Sequence, residues 1–531
     1  MSESTNTKQN DAPVTHGELD ALLALIKDKN DTLAAENTEL KRQLEWFKRQ
    51  MFGPKSEKLI DPNPYQLSLG EAFAPPESAV DTRPKEKITY ERGKGPKVRP
   101  EDCVTEAGLR FESSVPVKHI QLPVLGIDGL TPDDYDIISI KKTYRLAQRP
   151  ASYVVLCYEQ PVIKIKESEQ IKTAIMVSNV LDRSVGDVSF LVGLMVDKFL
   201  YHLPLYRQHQ RLSAAGITLS RTTLTNLVRR AIELLEPIVD AQRDSVLQSR
   251  VLAMDETPTK AGKSKTKRGR MHQGYFWPIC GDQGEIVFSY SSSRARRVIE
   301  ELLNNDFTGT LISDGYSAYA SYVAKTDDVV HAQCWAHTRR QFFEATEDEP
   351  VLVNDMLERI RAIYKYEDHC KAHALEGEAK RKHRLTYSKP IVDGIIELVQ
   401  DQLQTRAFLP SSPYNKALGY LNNRVVELRV FLENPDVPLD TNHVERALRV
   451  IPMGKKNWLF SWTELGAQQI GIIQSLICTC KMQNIDPYTY LTDVLLRISV
   501  HPNKDIAQLT PRLWKEHFAD DPMRSDLMLD I

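Results

Sequence analysis

The hydrophobic positions of the chain follow several periodicities, and the first is a heptad near the amino end. Between residues 19 and 51 the repeat forms two seams, Leu19, Ile26, Leu33, Leu40, Phe47 and Leu23, Asn30, Asn37, Leu44, Met51. Two such seams are typical of a coiled coil, and Asn at a buried seam position favours two strands in fixed register. We therefore predict a disordered tail at residues 1–16 and a coiled coil at residues 17–58, which would form a homodimer or a higher oligomer.

Different patterns predict the next regions. Residues 59–110 are rich in Pro, Gly and charge and have little periodicity, which indicates a linker. Short alternating runs at residues 137–140 and 153–156 predict a small β unit within residues 111–185.

A helical pattern then covers residues 186–250. A helix, a turn at Gly216 and a second helix that Ser220 would cap are typical of a helix-turn-helix. Because recognition helices present their first residues to DNA, Arg221, Thr222 and Arg229 are candidate DNA contacts. An ordinary helical hairpin within a core explains the same pattern.

Two later apolar runs each end at an acidic residue. Residues 251–254 lead to Asp255, and residues 310–313 lead to Asp314, which Gly315 follows. Such runs predict buried parallel strands that deliver carboxylates to the edge of the sheet where α/β reaction sites lie. With Glu445, far downstream in a helical pattern, they would suit divalent cations and two-metal phosphoryl transfer. The alternative is a turn at Asp314 and a solvated charge at Glu445.

The remaining pattern predicts the rest of this core. An antiparallel pair around residues 281–284, a helix at 295–303 and a strand at 329–334 complete a first part at residues 251–345. Residues 346–435 read as a helical insertion, residues 436–500 as the second part of the core, and residues 501–531 as a C-terminal tail.

Four blocks around the acids occur in one order. They are Met254-Asp255-Glu256-Thr257-Pro258, Ser313-Asp314-Gly315-Tyr316, Cys334-Trp335-Ala336-His337-Thr338-Arg339-Arg340, and Asn442-His443-Val444-Glu445-Arg446 followed by Gly454-Lys455-Lys456-Asn457-Trp458. From about residue 19 to about residue 498 the chain resembles the insertion sequence 66 family of DDE transposases. The resemblance implies a multidomain α/β protein with a ribonuclease H-like mixed sheet, whose acids Asp255, Asp314 and Glu445 hold two Mg²⁺ or Mn²⁺ ions.

Further residues around the acids are candidates for supporting roles. Glu256 would lie just outside the metals, and His337 would orient water or contact phosphate, although a structural role explains it equally well. Asn442, Glu445 and Arg449 share a helix face, so Arg449 would reach phosphate or steady the carboxylate. Candidate DNA contacts are Arg339, Arg340, Arg449, Lys455, Lys456 and, for stacking on a base, Trp458.

A basic segment follows the Asp255 strand. Residues 260–270 contain Lys263, Lys265, Lys267 and Arg268 between Gly and Ser, which predicts a loop that contacts the phosphate backbone. Because the net charge is only −2, DNA binding must come from local patches of this kind.

The cysteines indicate a reducing compartment. Many members of the family carry Cys-x-x-Cys pairs in the β unit, but this chain has only Cys103 and Cys157 nearby and no such pair. Zinc needs four ligands, so a zinc site is not expected. Without a membrane-spanning stretch or a signal peptide, we expect a cytoplasmic protein, associated with the nucleoid when it acts.

The sequence therefore predicts a DNA transposase that cuts element ends and joins them to target DNA, with accessory proteins as further possible partners. A structure-specific nuclease would keep the acids but cut only, and a catalytically silent regulator would bind only. Strand transfer, cutting or binding of end-sequence DNA separates the three.

The heptad gives a prediction about assembly. Changing Asn30 and Asn37 to Leu should raise the thermal stability of the coil yet allow higher oligomers, because buried Asn fixes register at a cost in stability. Sedimentation of the segment 17–58 measures both effects. A segment that stays monomeric at micromolar concentration would contradict the coiled coil.

Overall fold

The structure, a computed structural model, describes residues 27, 29, 109–127, 130–149, 152–263, 270–304, 307–405, 408–458, 461 and 463–528. The strands are β1 (Arg110–Phe111), β2 (Val117–Gln121), β3 (Tyr135–Arg149), β4 (Ser152–Ile165), β5 (Ile171–Thr173), β6 (Ile217–Thr218), β7 (Val251–Met254), β8 (Thr257–Lys263), β9 (Met271–Cys280), β10 (Ile286–Ser291), β11 (Gly309–Ser313) and β12 (Val329–Gln333). The helices are α1 (Val188–Phe199), α2 (Leu205–Ala214), α3 (Arg221–Leu247), α4 (Arg296–Leu302), α5 (Ser317–Val323), α6 (Trp335–Glu344), α7 (Pro350–Ala372), α8 (Gly377–His383), α9 (Lys389–Gln404), α10 (Pro413–Asn422), α11 (Val425–Glu433), α12 (Asn442–Leu448), α13 (Val450–Trp458), α14 (Glu464–Met482), α15 (Pro487–Arg497) and α16 (Pro511–His517). A π-helical turn, Arg384–Ser388, joins α8 to α9, and short 3-10 helices lie at Pro132–Asp134 and Asn503–Leu509.

The central sheet has antiparallel strands on one side and parallel strands on the other. Its order is β10-β9-β7-β11-β12, and β8 also pairs with β9. Strands β10, β9 and β7 are antiparallel neighbours, whereas β7, β11 and β12 run parallel. All four residues of β7 are buried, as in strands that are covered on both faces. Helices α3 and α14 pack against β10, and α5 and α11 pack against β12.

This sheet confirms the strands that the sequence predicts for the core. Strands β9 and β10 form the expected antiparallel pair, and Gly284 in their turn has a φ of +71°, a conformation that favours glycine. The predicted helix is α4 and the predicted last strand is β12. Because Thr310 pairs with Val251, β7 and β11 are parallel neighbours, and Asp255 and Asp314 leave the sheet at the same edge.

A second sheet contains the two alternating runs of the predicted β unit. Its order is β2-β4-β3, and β5 also pairs with β4. Strands β3 and β4 form a long antiparallel hairpin, while β2 runs parallel to β4. Backbone and side-chain bonds tie β3 to the start of α1, since Leu146 N donates to Val185 O (2.7 Å) and Gln148 N donates to Ser189 Oγ (3.1 Å).

The predicted helix pair is formed by α2 and α3. Ser220 Oγ accepts a hydrogen bond from Thr223 N (3.0 Å), which confirms the predicted cap of α3. Helix α3 is 27 residues long, and its second half belongs to the core. There Gln242 Nε2 donates to Ile286 O (2.8 Å) and to Thr479 Oγ1 (2.9 Å). Arg221 and Thr222 in the first turn of α3 are exposed, while its later turns support the central sheet.

Residues 346–435 are largely helical, as predicted, and they pack directly on the core. Trp335 Nε1 donates to Leu428 O (3.0 Å), and Arg424 Nη2 donates to Gly315 O (2.9 Å). Inside the segment, Arg384 and Glu367 form a buried bidentate pair with N–O distances of 2.6 and 2.8 Å. The insertion thus contacts the loop that carries Asp314.

The start of the basic segment is a strand, so the prediction of a loop is wrong for residues 260–263. These residues belong to β8, and Lys260 O accepts a hydrogen bond from Ser461 N (2.9 Å). Gly262 N donates to Ser461 O (3.1 Å), and Ala261 is fully buried. Pairing with a residue so distant in sequence leaves no local signal. Lys263 is exposed at the end of β8, whereas Lys265, Lys267 and Arg268 lie outside the described residues.

The end of the chain folds back on the core, which corrects the prediction of a tail at residues 501–531. The buried Trp514 of α16 donates from Nε1 to Asp493 Oδ2 (2.5 Å). Ser525 Oγ donates to Asp187 Oδ1 (2.6 Å), and Tyr158 OH donates to Asp526 Oδ2 (2.7 Å). These bonds connect the C-terminal residues with the second sheet and with α15.

The predicted tail, coiled coil and most of the predicted linker lie outside the described residues, apart from Lys27 and Lys29, which are helical and exposed. In the part of the chain that the structure covers, helices with the length and apolarity needed to cross a bilayer do not occur.

A close crossing of α14 over β10 gives a prediction about stability. A Cβ on Gly471 would lie 2.4 Å from Phe288 O, so Gly471→Ala should cost about 1–3 kcal/mol of unfolding free energy. Gly419 in α10 has open space around it, and Gly419→Ala should stabilise by up to about 1 kcal/mol because Ala favours the helix. Chemical denaturation measures both, and equal effects would contradict the close packing at Gly471.

Candidate active site

Three acidic residues that the sequence singles out lie near one edge of the central sheet. Asp255 follows β7, Asp314 follows β11, and Glu445 lies in the first turn of α12. The charges of Asp314 and Glu445 both act on the Asp255 carboxyl. The parallel pairing of β7 and β11 thus brings two of these carboxylates together, and α12 adds the third.

The Asp255 carboxyl has a strongly perturbed pKa. Burial and the nearby charges of Glu256, Asp314 and Glu445 raise its pKa to about 7, against a hydrogen bond from Glu256 N to Asp255 Oδ1 (2.7 Å). A raised pKa next to other carboxylates means that the site favours added positive charge, either a proton or a cation.

Glu256 is buried and already neutralised. Its side chain is 2% exposed, and its Oε1 accepts a hydrogen bond from Arg294 Nε (2.9 Å). Tyr319 OH donates to its Oε2 (2.7 Å), and the Arg294 guanidinium lies 3.9 Å from the centre of the Tyr316 ring. Both carboxylate oxygens of Glu256 therefore have strong partners, and its predicted supporting role stays a prediction.

Sequence reasoning missed Arg294 and Tyr319. Strand β10 runs in the same direction as β7, because each is antiparallel to β9. Its carboxyl end therefore reaches the same edge of the sheet, and Arg294 follows that end. The search for acidic residues at the carboxyl ends of strands identifies Asp255 and Asp314. It would also have found Arg294 if it had included basic residues.

The loop after β11 holds Asp314 firmly. Asp314 Oδ1 accepts a hydrogen bond from Tyr316 N (2.9 Å), and Gln333 Nε2 donates to the Asp314 carbonyl (3.0 Å). A Cβ on Gly315 would lie 2.5 Å from Tyr420 OH, so glycine is required for this close contact with the helical insertion. The direction of the loop thus depends on β12, on Gly315 and on α10.

Glu445 is contacted by two residues of α6. His337 Nε2 lies 3.4 Å from Glu445 Oε1, and Arg340 Nη2 lies 3.4 Å from Glu445 Oε2. Burial lowers the pKa of His337, against the charges of Asp314 and Glu445. Within the described structure, Glu445 Oε1 and His337 Nδ1 are buried without a hydrogen-bond partner. Buried polar atoms of this kind are uncommon and often belong to functional sites.

The residue beside Glu445 in α12 differs from the one that the sequence predicts. Asp440 Oδ1 accepts from Asn442 N (3.0 Å), whereas Thr441 Oγ1 donates to Cys334 Sγ (3.3 Å). Asn442 is exposed and bonds Asp440, and Arg449 is exposed just beyond the helix. Arg340 therefore occupies the position beside Glu445 that the shared helix face suggests for Arg449.

The other predicted contacts lie around this edge. Lys455 Nζ donates to Pro258 O (3.3 Å), which connects α13 to β8, and Lys456 is exposed. The Arg339 guanidinium lies 6.0 Å from the centre of the Phe343 ring. Trp458 ends α13, and its side chain lies outside the described residues.

The candidate residues of the helix pair are on the surface. Arg221 and Thr222 are exposed in the first turn of α3, and the Arg221 guanidinium lies 5.7 Å from the centre of the Tyr206 ring. Arg229 Nη1 forms an ion pair with Glu233 Oε1 (2.8 Å). This exposure is compatible with a DNA contact but does not require one.

The three acids do not form one tight ligand set. Among the described residues, His, Cys or acidic ligand atoms that all lie within 4.8 Å of one another are those of His119, Cys157 and Glu159 in the second sheet. Lys142 Nζ already lies 3.2 Å from Glu159 Oε1, and His119 Nδ1 lies 2.9 Å from the same oxygen. That group offers three ligands, one fewer than structural zinc requires.

The acids at the sheet edge nevertheless fit a hard divalent cation. Such ions take oxygen ligands, and Asp255, Asp314 and Glu445 offer carboxylate oxygens. The unpartnered Glu445 Oε1 and the raised pKa of Asp255 are both features that a bound cation would relieve.

Comparison with known proteins finds family models that match the chain. A family model described as "Transposase IS66 family" matches residues 183–469, just over half of the chain and all three acids. A model described as "IS66 C-terminal element" matches residues 475–512, and one described as "Transposase C of IS166 homeodomain" matches residues 39–102.

Two relatives from Sinorhizobium fredii (strain NBRC 101917 / NGR234) are themselves uncharacterized. The chain is 30% identical to uncharacterized protein y4hP over 352 residues, which is 62% of this chain and 62% of that protein. It is 26% identical to uncharacterized protein y4jD over 504 residues, which is 90% of this chain and 94% of that protein.

The raised pKa of Asp255 predicts how stability depends on pH without metal. Its folded-state pKa of about 7 lies above the ordinary value of about 3.9, so the folded state loses stability as pH rises between these values. Asp255→Asn should remove that loss, and its stabilising effect should be larger at about pH 8 than at about pH 5, by roughly 2 kcal/mol. Denaturation in EDTA measures it. The exposed Asp401→Asn in α9 is the control, and an equal effect at both pH values would contradict the assignment.

Proposed function

The chain belongs to the IS66 family of transposases, and we propose that it cuts DNA at the ends of an insertion sequence and joins them to target DNA. The observation that carries this proposal is the meeting of Asp255 and Asp314 at the edge of β7 and β11, with Glu445 close enough to act on Asp255. Both reactions are in-line phosphoryl transfers, which depend mainly on positioning and charge neutralisation.

Asp255, Asp314 and Glu445 would hold two divalent cations, Mg²⁺ or Mn²⁺. When bound, such ions supply Lewis acidity and a nucleophilic water at neutral pH. The acids would serve as ligands through their carboxylate oxygens. Asp255 would release any proton it carries before it binds a cation.

Residues of the chain itself would position the DNA and the proton. His337, whose pKa is lowered by burial, would be neutral near pH 7 and able to accept a proton. Arg340, half exposed beside Glu445, would contact phosphate. The pair of Glu256 with Arg294 would keep Asp255 in place, because Glu256 directly follows Asp255 and is fixed by two bonds.

The strand order supports a ribonuclease H-like core. In the central sheet β7, β9 and β10 are antiparallel neighbours, and after helix α4 come β11 and β12, which run parallel to β7. Asp255 follows β7 and Asp314 follows β11. We propose this fold for the central sheet and its helices on that basis.

DNA binding would use several separate surfaces. Lys263 at the end of β8, Lys456 in α13 and Arg449 after α12 are exposed, and Arg221 and Thr222 are exposed at the start of α3. The match of residues 39–102 to a model described as a homeodomain adds a further candidate region. Pairing of two chains through the predicted coiled coil would bring two element ends together.

The proposed function gives a direct test. Asp314→Asn should lower the rate of cutting of end-sequence DNA with Mg²⁺ by at least about a hundredfold, since a bound metal supplies several kcal/mol. Binding of the same DNA should stay within about twofold, because the exposed basic residues are unchanged. Asp401→Asn on the surface of α9 is the control.

Gel assays with labelled ends separate three outcomes. Joined products support a transposase, cut products without joining indicate a nuclease, and binding without either indicates a regulator. An Asp314→Asn protein that still joins ends would show that the acids have been wrongly assigned.

A further inference from the structure

A cleft beside Glu445 has features that the acids do not explain. It lies between α6, α7 and α12 and has a volume of about 440 Å³. Its lining includes Arg339, Arg340, Phe343, Arg361, Tyr364 and Asn442. We call it the arginine cleft. Its volume is within the range of pockets that hold small organic groups.

Among the described residues that line the arginine cleft, three are arginines and none is acidic. Arg340 Nη2 lies 3.4 Å from Glu445 Oε2, and Arg361 pairs with the exposed Glu358 of its own helix. Within the described structure Arg339 makes no ion pair, although its charge acts on the Tyr364 hydroxyl. Guanidinium groups at such a site suit phosphate oxygens, which they bind in a planar, two-pronged way.

The arginine cleft also presents an aromatic ring to solvent. Phe343 is 58% exposed on α6. By contrast Tyr364 is partly buried, and the charge of Asp440 acts on its hydroxyl. Asp440 also accepts from the backbone and side chain of Asn442. These bonds hold Asn442 in place on one side of the cleft. The exposed ring of Phe343 is available as a flat apolar surface.

Phosphate-binding cations beside an open aromatic ring match a nucleotide whose base is not paired. A duplex presents phosphates but keeps its base faces stacked, whereas an unpaired base has a free face for an aromatic ring. From this we propose that the arginine cleft binds one unpaired nucleotide of the DNA strand. Arg339 and Arg361 would hold its phosphate, and its base would stack on Phe343.

The position of Arg340 connects this nucleotide with the reaction. Arg340 lines the cleft and lies 3.4 Å from Glu445, so a nucleotide in the cleft would be next to the acids. The proposal rests on the proposed function, which it deepens by naming an unpaired strand as the substrate form at this site.

The test measures binding by the full chain in EDTA, with oligodeoxythymidylate and with a duplex of the same length as probes. Phe343→Leu should weaken binding of the single strand about tenfold, because base stacking on an aromatic ring is lost. Duplex binding should change less than about twofold. The separate variant Phe343→Tyr should bind the single strand as the unchanged protein does, because it keeps an aromatic ring.

A second variant tests the phosphate contact. Arg361→Gln should reduce the salt dependence of single-strand binding by about 0.7 in log–log slope, as expected for one phosphate. Arg359→Gln is the matched control, since Arg359 lies on the same helix, pairs with Asp355 and does not line the cleft.

Two results would overturn the proposal. Equal losses for single strand and duplex in Phe343→Leu would show a general backbone contact, and unchanged binding of both probes would show an unused surface. Because these measurements need no metal and no cutting, they fail or succeed independently of the Asp314→Asn assay.

Discussion

The arrangement of this protein around its central sheet depends on one electrostatic constraint, the crowding of acidic side chains at the edge of β7 and β11. Asp255, Glu256 and Asp314 follow adjacent strands, and Glu445 approaches from α12. Like charges in a partly buried site repel strongly, because the surrounding medium screens them poorly. Glu256 is paired with Arg294 and Tyr319, whereas the pKa of Asp255 is raised by burial and, to a smaller extent, by the charges of Glu256, Asp314 and Glu445.

The helical insertion, residues 346–435, helps to hold the crowded acids in place. The Asp314 loop must turn sharply after β11, and it is held there by contacts from far along the chain. Arg424 donates to the Gly315 carbonyl, and Tyr420 packs where a side chain at Gly315 would otherwise lie. Trp335, at the start of the helix that carries His337 and Arg340, is bonded to Leu428 of the same insertion. The insertion therefore fixes both the loop of one acid and the helix that contacts another.

The sequence predicts those features that have a local signal. Apolar runs that end in Asp255 and Asp314 predict two parallel strands, and the structure pairs them in register. The turn at Gly284 and the cap at Ser220 are equally local, and both are confirmed. Long-range contacts could not be predicted in this way. The pairing of Ala261 with Ser461 turns a Gly-rich basic segment into a strand, and a salt bridge from Arg294 neutralises Glu256.

The candidate site follows the same division. Its acids could be found from strand ends and from the resemblance, whereas the partner of Glu445 could not. The helix-face argument compares residues of one helix only, so it favours Arg449, which lies one turn after Glu445. The structure instead places Arg340 there, because side chains of α6, which is distant in sequence, reach Glu445. Phe343 gives no sequence signal, because an exposed aromatic residue is recognisable only once its neighbours are known.

Glu445 is held less firmly than the other acids, and this difference follows from its contacts. Its distances to His337 and Arg340 are both 3.4 Å, longer than the roughly 2.7–2.9 Å of a strong charge-assisted hydrogen bond. Asp314, by contrast, is bonded through its backbone and its side chain, and Glu256 has a bond to each oxygen. A carboxylate whose contacts are this long, and whose Oε1 accepts no hydrogen bond from the described residues, can turn toward a cation without breaking a strong bond. As it turned, Arg340 would lose its partner on one side and keep its place in the arginine cleft on the other. The same guanidinium would then be available to a phosphate at the moment when the acids become occupied, which would couple the two halves of the proposed site.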